Sequence, residues 1–142
     1  DLLKIWICHL FYCELRPENR TAESFLVCKD RIEKFQKPSD PGKIIEALLE
    51  LFRQGLTQPL RFFPEASLEY MRQIEKKPEA PQRARVMAKS RWIGSEYKRG
   101  ENEDPYYYRC FKNEDPIDDS FAEIAKDIYL PLLAHHSLVA IS

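Results

Sequence analysis

The chain has 142 residues, 44% of them hydrophobic and 12% aromatic, with a formal net charge of -1. That length supports a core at the usual size of one domain, so residues 1–142 are read as a single domain, and the near-zero charge excludes a globally basic nucleic-acid or membrane binder. Four cysteines (Cys8, Cys13, Cys28 and Cys110) are too few and too scattered for a disulfide framework, and with no secretory signal ahead of them the expectation is a reducing cytosol.

Asp1 to Cys13 is apolar nearly all the way round, and a helix of that kind expects cover on every side. It starts without Met or a capping residue, so the expectation is a C-terminal piece of a larger protein. With Lys4 and His9 inside it, and shorter than the roughly 20 residues of a membrane span, it is not a transmembrane segment. The helix is predicted over Leu2–Leu15, stopping before Pro17 because the residue ahead of a proline is pushed out of the helical region; Glu18-Asn19-Arg20-Thr21 follows as a polar turn. Glu23 to Lys29 and Ile32 to Phe35 read as two short strands joined tightly at Lys29 to Arg31.

Ser39-Asp40-Pro41-Gly42 is the clearest helix start, with Asp40 as acceptor for the orphan amides and Pro41 at the first helical position. Ile44, Ile45, Leu48, Leu51 and Phe52 follow at helical spacing, and Gly55 supplies the stop. Leu56 to Phe63 carries Pro59 and reads as an extended connection. Pro64 opens a helix to about Ile74 with Leu68 and Met71 as its apolar contacts. After the linker Lys76 to Pro81, a helix is predicted from Gln82 to Trp92, with Ala84, Ala88 and Trp92 on one side and Arg85 and Lys89 stacked beside them; Gly94 ends it. Ser95 to Asp115 reads as a long loop with one short strand. The last helix begins at Ser120, in capping-box spacing with Glu123, buries Phe121, Ile124, Ala125, Ile128 and Leu132, and kinks or ends at Leu130-Pro131. The fold class expected is helix-rich α+β, about five helices and a short β-hairpin. Two strands cannot build an independent sheet, so they are expected at the edge of a larger one.

Catalytic signatures are mostly excluded. Pro41-Gly42-Lys43 lacks the upstream glycine and the Ser/Thr of a phosphate-binding loop, and there is no G-x-S-x-G, H-E-x-x-H or C-x-x-C. Cys8, His9 and Cys13 are ligand types for zinc, but five-residue spacing does not stack the two thiols on a helix. No cofactor and no metal are expected, and His135-His136 is read as a solvated tail. A carboxylate-and-lysine nuclease needs an acidic strand end followed by Glu/Asp-x-Lys to hold a divalent cation. Glu14-Leu15-Arg16 has arginine for lysine, and Glu96-Tyr97-Lys98 follows a helix-ending glycine with no acidic strand before it.

Charge is unevenly placed. From Arg72 to Arg99 nine Lys or Arg face three Glu, and from Glu101 to Asp119 seven Asp or Glu face Arg109 and Lys112. Arg83, Arg85, Lys89 and Arg91 on a helix ending in Trp92, with Tyr97, Lys98 and Arg99 after it, combine phosphate-neutralising charge with aromatic surfaces for bases, the pattern of a DNA contact. The structural alternative has Trp92 in the core and the cations solvated or paired with the acidic stretch after residue 100.

Four stretches carry a family resemblance: Leu2 to Leu10, Leu51 to Leu60 running to Phe63-Pro64, the Ala84 to Trp92 helix, and Phe121 to Leu133 with its Leu130-Pro131-Leu132-Leu133 end. Together they resemble the C-terminal domain of RecC, the gamma subunit of bacterial exodeoxyribonuclease V, the RecBCD complex. The resemblance implies an inactive PD-(D/E)XK nuclease-like fold within a cytoplasmic helicase-nuclease that processes double-strand breaks. It implies RecB-like and RecD-like partner subunits and DNA within the complex, and neither a membrane nor a small-molecule substrate. In active relatives the helix after the catalytic strands brings a Gln and a Tyr to the metal; Leu2-Leu3-Lys4-Ile5-Trp6 occupies that place with neither, which implies a scaffold. A stand-alone helical interaction module and a divergent metal-dependent nuclease are the other readings.

Overall fold

The protein, described by a computed structural model over residues 2–16, 18 and 21–139, is helix-rich α+β with six helices and two small sheets among those residues. Pro17 and the Asn19-Arg20 part of the predicted turn lie outside the described residues. The chain divides into two compact units, Asp1–Gln54 with Leu130–Ser142, and Gly55–Tyr129.

In the first unit, helix α1 (Leu2–Leu15) has the predicted limits. It buries Trp6, His9, Leu10 and Cys13 and leaves Phe11 and Leu15 exposed, so one stripe of this all-apolar helix is covered. Strands β1 (Glu23–Val27) and β2 (Ile32–Gln36) form the predicted antiparallel hairpin, with Val27 opposite Ile32. Cys28 N–H donates to Arg31 O at 2.9 Å to close its turn.

Two expectations are corrected here. A further strand at residues His136–Val139 pairs antiparallel with β2, so β2 is central in a three-stranded sheet. His135-His136 is accordingly no solvated tail. The His135 ring stacks on Trp6 at 5.9 Å, and the His136 ring lies 5.4 Å from Phe35 with its Nε2 against the Glu33 carboxylate. The physical reason is long-range: the second edge of β2 has backbone groups to satisfy, and Trp6 and Phe35 need ring surface to pack on.

Glu33 is buried, and Arg31 Nε donates to its Oε1 at 2.6 Å while His136 meets Oε2. Burial pushes the Glu33 carboxyl up, but the hydrogen bonds and charges of Arg31 and His136 outweigh it and hold the group below the usual Glu range. A carboxyl lowered by folding adds stability above its unfolded pKa, and that stability is lost as pH falls through the folded value. Glu33→Gln is therefore expected to lower stability by roughly 1–3 kcal/mol near neutrality. The gap to the native chain should close as pH falls below the ordinary Glu range. Denaturant unfolding at a series of pH values checks this, and a gap independent of pH would contradict it.

Helix α2 (Pro41–Gly55) starts as the sequence predicts, with Lys43 N–H donating to Asp40 Oδ1 at 3.0 Å. Its apolar face is poorly covered. Ile44, Ile45, Leu48 and Leu51 are half-buried, Leu49 and Phe52 are exposed, and Pro41 is the helix's one buried residue. Gly55 is the last helical residue without a left-handed backbone, since Gly94 alone among the described glycines has positive φ.

The second unit is built on the buried Phe63, which ends the predicted extended connection. Helix α3 (Pro64–Lys76) follows with Ala66, Ser67, Tyr70 and Met71 buried; Leu68, a predicted contact, is only half-buried. Helix α4 (Pro81–Ile93) buries Ala84, Ala88 and Trp92, as their four-residue spacing predicts. Small residues at these positions let α3 and α4 approach closely, and Trp92 packs on Phe63 with ring centroids 4.2 Å apart.

The long loop predicted from Ser95 to Asp115 is largely ordered, which is the main correction in this unit. It holds a tight hairpin of β3 (Gly94–Ser95) and β4 (Lys98–Arg99), a 3-10 turn at Glu101–Glu103, and helix α5 (Pro105–Phe111). Asp104 caps α5 by accepting from Tyr106 N at 2.9 Å, with Pro105 at the first position. This repeats the Asp40-Pro41 signal, which the strand-like Tyr106-Tyr107-Tyr108 run obscures. Helix α6 (Asp119–Ala134) begins one residue before Ser120, and its cap is Asp118, accepting from Phe121 N at 3.0 Å. It also runs through Pro131 to Ala134, because the burial of Ile128 and Leu132 offsets the lost backbone bond. The division between the units falls within α6, after Tyr129. The strand His136–Val139 that follows it is β5.

Candidate nucleic-acid interface

Three of the six cations singled out in the sequence line one concavity. Arg91 in the last turn of α4 and Lys98 and Arg99 on β4 surround a cup of about 240 Å³ completed by Met87, Ser90, Gly94 and Ser95. Two glycines make this possible. Gly94 turns the chain out of α4 at φ 80° and ψ -164°, a region essentially closed to side chains. A Cβ there would lie 2.3 Å from Gly100 N, and one on Gly100 would lie 2.3 Å from Ile93 O. Only bare backbone lets β4 fold back against the end of α4 and carry Lys98 and Arg99 beside Arg91.

Each of the three is paired with a carboxylate outside the cup lining. Arg91 Nη2 is 3.4 Å from Glu69 Oε2, Lys98 meets Glu65, and Arg99 Nε donates to Glu103 Oε2 at 2.8 Å. Arg99 holds the Glu103 carboxyl below its usual range. Tyr97, at the hairpin turn, is 96% exposed. Ser95 Oγ accepts from Tyr97 N at 3.3 Å, and the Ser90 hydroxyl donates to Val86 O.

Arg85 and Lys89 belong to another face. Arg85 pairs with Asp119 and Lys89 with Asp115, whose carboxyl the Lys89 hydrogen bond holds below its usual range. These pairs tie α4 to the start of α6 and to the chain ahead of it, the arrangement anticipated by the structural alternative, and Trp92 is in the core as that alternative requires. Arg83 is exposed on α4 and forms none of these pairs.

Glu101 connects the site to the core in a way sequence reasoning missed. Its carboxylate accepts from Glu65 N at 3.0 Å and Ala66 N at 2.8 Å, capping α3, whose own cap position is Phe63. Burial outweighs those two amides and raises the Glu101 carboxyl. A cap 35 residues away along the chain has no local signal.

The remaining candidates are separated. Glu96 and Tyr97 form the hairpin turn, exposed, and Glu14 and Arg16 lie at and just past the end of α1. Cys13 Sγ is 3.4 Å from His9 Nε2, with Ser24 Oγ 2.8 Å from His9 Nδ1. Burial keeps the His9 pKa low and pushes the Cys13 thiol up, which leaves a neutral histidine beside a protonated, buried thiol. Cys8 is exposed, and among the described residues no three His, Cys, Asp or Glu lie together as metal ligands. No helix among the described residues is long and apolar enough to cross a membrane.

Comparison with known proteins gives the chain a family through residues that precede this cup. A search of the curated proteins returns no match. The family model described as the RecC C-terminal domain matches residues 1–75, which hold α1, the β1–β2 hairpin, α2 and nearly all of α3. Two of the four resembling stretches, Leu2 to Leu10 and Leu51 to Pro64, fall inside that match; the Ala84 and Phe121 helices lie beyond it. The match covers more than half of the chain, and the protein belongs to the RecC C-terminal domain family.

Proposed function

We propose that this chain acts in DNA repair as a non-catalytic scaffold of a RecC-like subunit, holding RecB-like and RecD-like chains of a RecBCD helicase-nuclease and helping line the path of the separated DNA strands. The observation that carries the reading is α2, which lies in the family-matched stretch and presents Leu48, Leu49, Leu51 and Phe52 as a half-covered apolar face. An amphipathic helix whose apolar face is only partly covered, with Leu49 and Phe52 in solvent, is a surface for a partner. In the same reading the first unit descends from an inactive PD-(D/E)XK-like fold. Trp6 of α1, buried among aromatic rings, stands in the stretch where active relatives carry Gln and Tyr.

Leu49→Glu with Phe52→Glu places charge on that face without touching a buried side chain. The double variant is expected to keep its melting temperature and to lose co-purification with RecB-like and RecD-like chains by tenfold or more, on the order of an interface anchor's contribution. Unchanged association would remove the main support for the scaffold. Metal-dependent cleavage by the native chain that vanishes in Glu96→Ala would replace it with a nuclease.

A further inference from the structure

We propose that the cup between the end of α4 and the β3–β4 hairpin binds a backbone phosphate of single-stranded nucleic acid. In this arrangement Tyr97 stacks on the adjoining base, and Glu65, Glu69 and Glu103 act as built-in competitors for the cations. The inference rests on the DNA-path reading above and names the site for it, outside the residues matched by the family model.

Three cations line the cup, and among the described residues no carboxylate does. Phosphate is the anion this lining suits, because two arginines offer planar donor forks and Lys98 adds a point charge. The Ser95 hydroxyl accepts the Tyr97 amide and keeps its own proton free to donate. The three cations are already paired, but with carboxylates on their outer side. Arg91 and Arg99 are exposed, and so are Lys98 and Glu65. The Lys98–Glu65 and Arg99–Glu103 pairs are exposed on both sides, and pairs of this kind contribute about 0–1 kcal/mol each, so exchanging those carboxylates for a phosphate costs little; Glu69 is more covered but meets Arg91 only at 3.4 Å. Without a strand, the carboxylates keep the cup close to neutral; a phosphodiester that displaces them meets all three cations at once.

Tyr97 decides the class of ligand. Its ring stands in solvent one residue from Lys98. A phosphopeptide or lipid headgroup has no use for that ring, whereas a base beside the bound phosphate stacks on it. The bases of a duplex are already stacked, so the ligand is a single strand.

The test measures binding of a fluorescent oligothymidylate to the full chain by anisotropy across a range of salt concentrations. Lys98→Glu with Arg99→Glu is expected to weaken binding on the order of tenfold or more and to flatten the salt dependence by about one unit per lost contact. Tyr97→Ala is expected to weaken it roughly five- to hundredfold with an unchanged salt slope. Glu69→Gln with Glu103→Gln is expected to tighten binding severalfold, a result that a merely solvated cationic face would not give. If the charge reversals leave affinity and slope unchanged, the cup is not a phosphate site. If Glu69→Gln with Glu103→Gln has no effect, the competitor role is wrong. The scaffold reading is scored separately by co-purification of the partner chains, so loss of oligonucleotide binding with association intact overturns only the cup. An abasic phosphodiester chain that binds as tightly as oligothymidylate would overturn the stacking role.

Discussion

Phe63→Ala is expected to cost about 3–5 kcal/mol of the stability of the 55–129 unit, the range for deleting a fully buried aromatic ring. Phe63 has no solvent exposure and touches four rings: Trp92 at 4.2 Å, Tyr107 at 5.1 Å, Phe111 at 5.3 Å and Phe121 at 6.1 Å. Those rings come from α4, α5 and α6, so no single neighbour can move in to fill the void. Trp92 is the natural reporter, because it rests on the deleted ring. Denaturant unfolding followed by its fluorescence should show a lower midpoint, and a loss below about 1 kcal/mol would mean the site collapses around the change and is not the centre of this core.

Gly94→Ala is expected to combine instability with loss of the cup. The backbone conformation alone costs about 1–3 kcal/mol with a side chain present, and the new Cβ would sit 2.3 Å from Gly100 N and 2.6 Å from Lys98 O. All three nearest atoms are backbone of β4 or the residue after it, so relief requires the hairpin to open. Lys98 and Arg99 would then leave Arg91. The measurable result is a lower melting temperature together with weakened, less salt-dependent oligonucleotide binding. Gly55→Ala is the control: its Cβ would meet the Leu60 side chain at an ordinary 3.4 Å and its φ is not positive, so stability should stay within about 1 kcal/mol, or rise through helix propensity. Equal effects at both glycines would contradict the geometric argument.

Much of the candidate site was legible because its parts are local. The Ala84, Ala88 and Trp92 spacing put the cations of α4 off the buried side, and Gly94 marked the helix end. The cup itself was not legible. Its assembly needs the return of β4 across α4, and nothing in Lys98-Arg99 says that the chain comes back instead of continuing outward. For the same reason the six basic residues read as one patch although they separate: Arg85 and Lys89 find Asp119 and Asp115 more than twenty-five residues away, Arg91, Lys98 and Arg99 share a concavity, and Arg83 stands exposed apart from both sets.

By itself the sequence determined what short-range chemistry controls: the limits of α1, the Asp40-Pro41 start of α2, the turn of the β1–β2 hairpin, the buried stripe of α4 and membership in the RecC C-terminal domain family. It also carried the cap of α5 in Asp104-Pro105, in a signal masked by three consecutive tyrosines. Only the tertiary structure decided the pairing of β5 with β2, the burial of Glu33 against His136, the capping of α3 by Glu101, the passage of α6 through Pro131 and the exposure of the α2 apolar face. The first four depend on groups far apart in sequence that satisfy one another's hydrogen bonds or remove apolar surface from water. Periodicity announces that a face is apolar; what comes to cover it, or whether anything in the chain does, is set by packing.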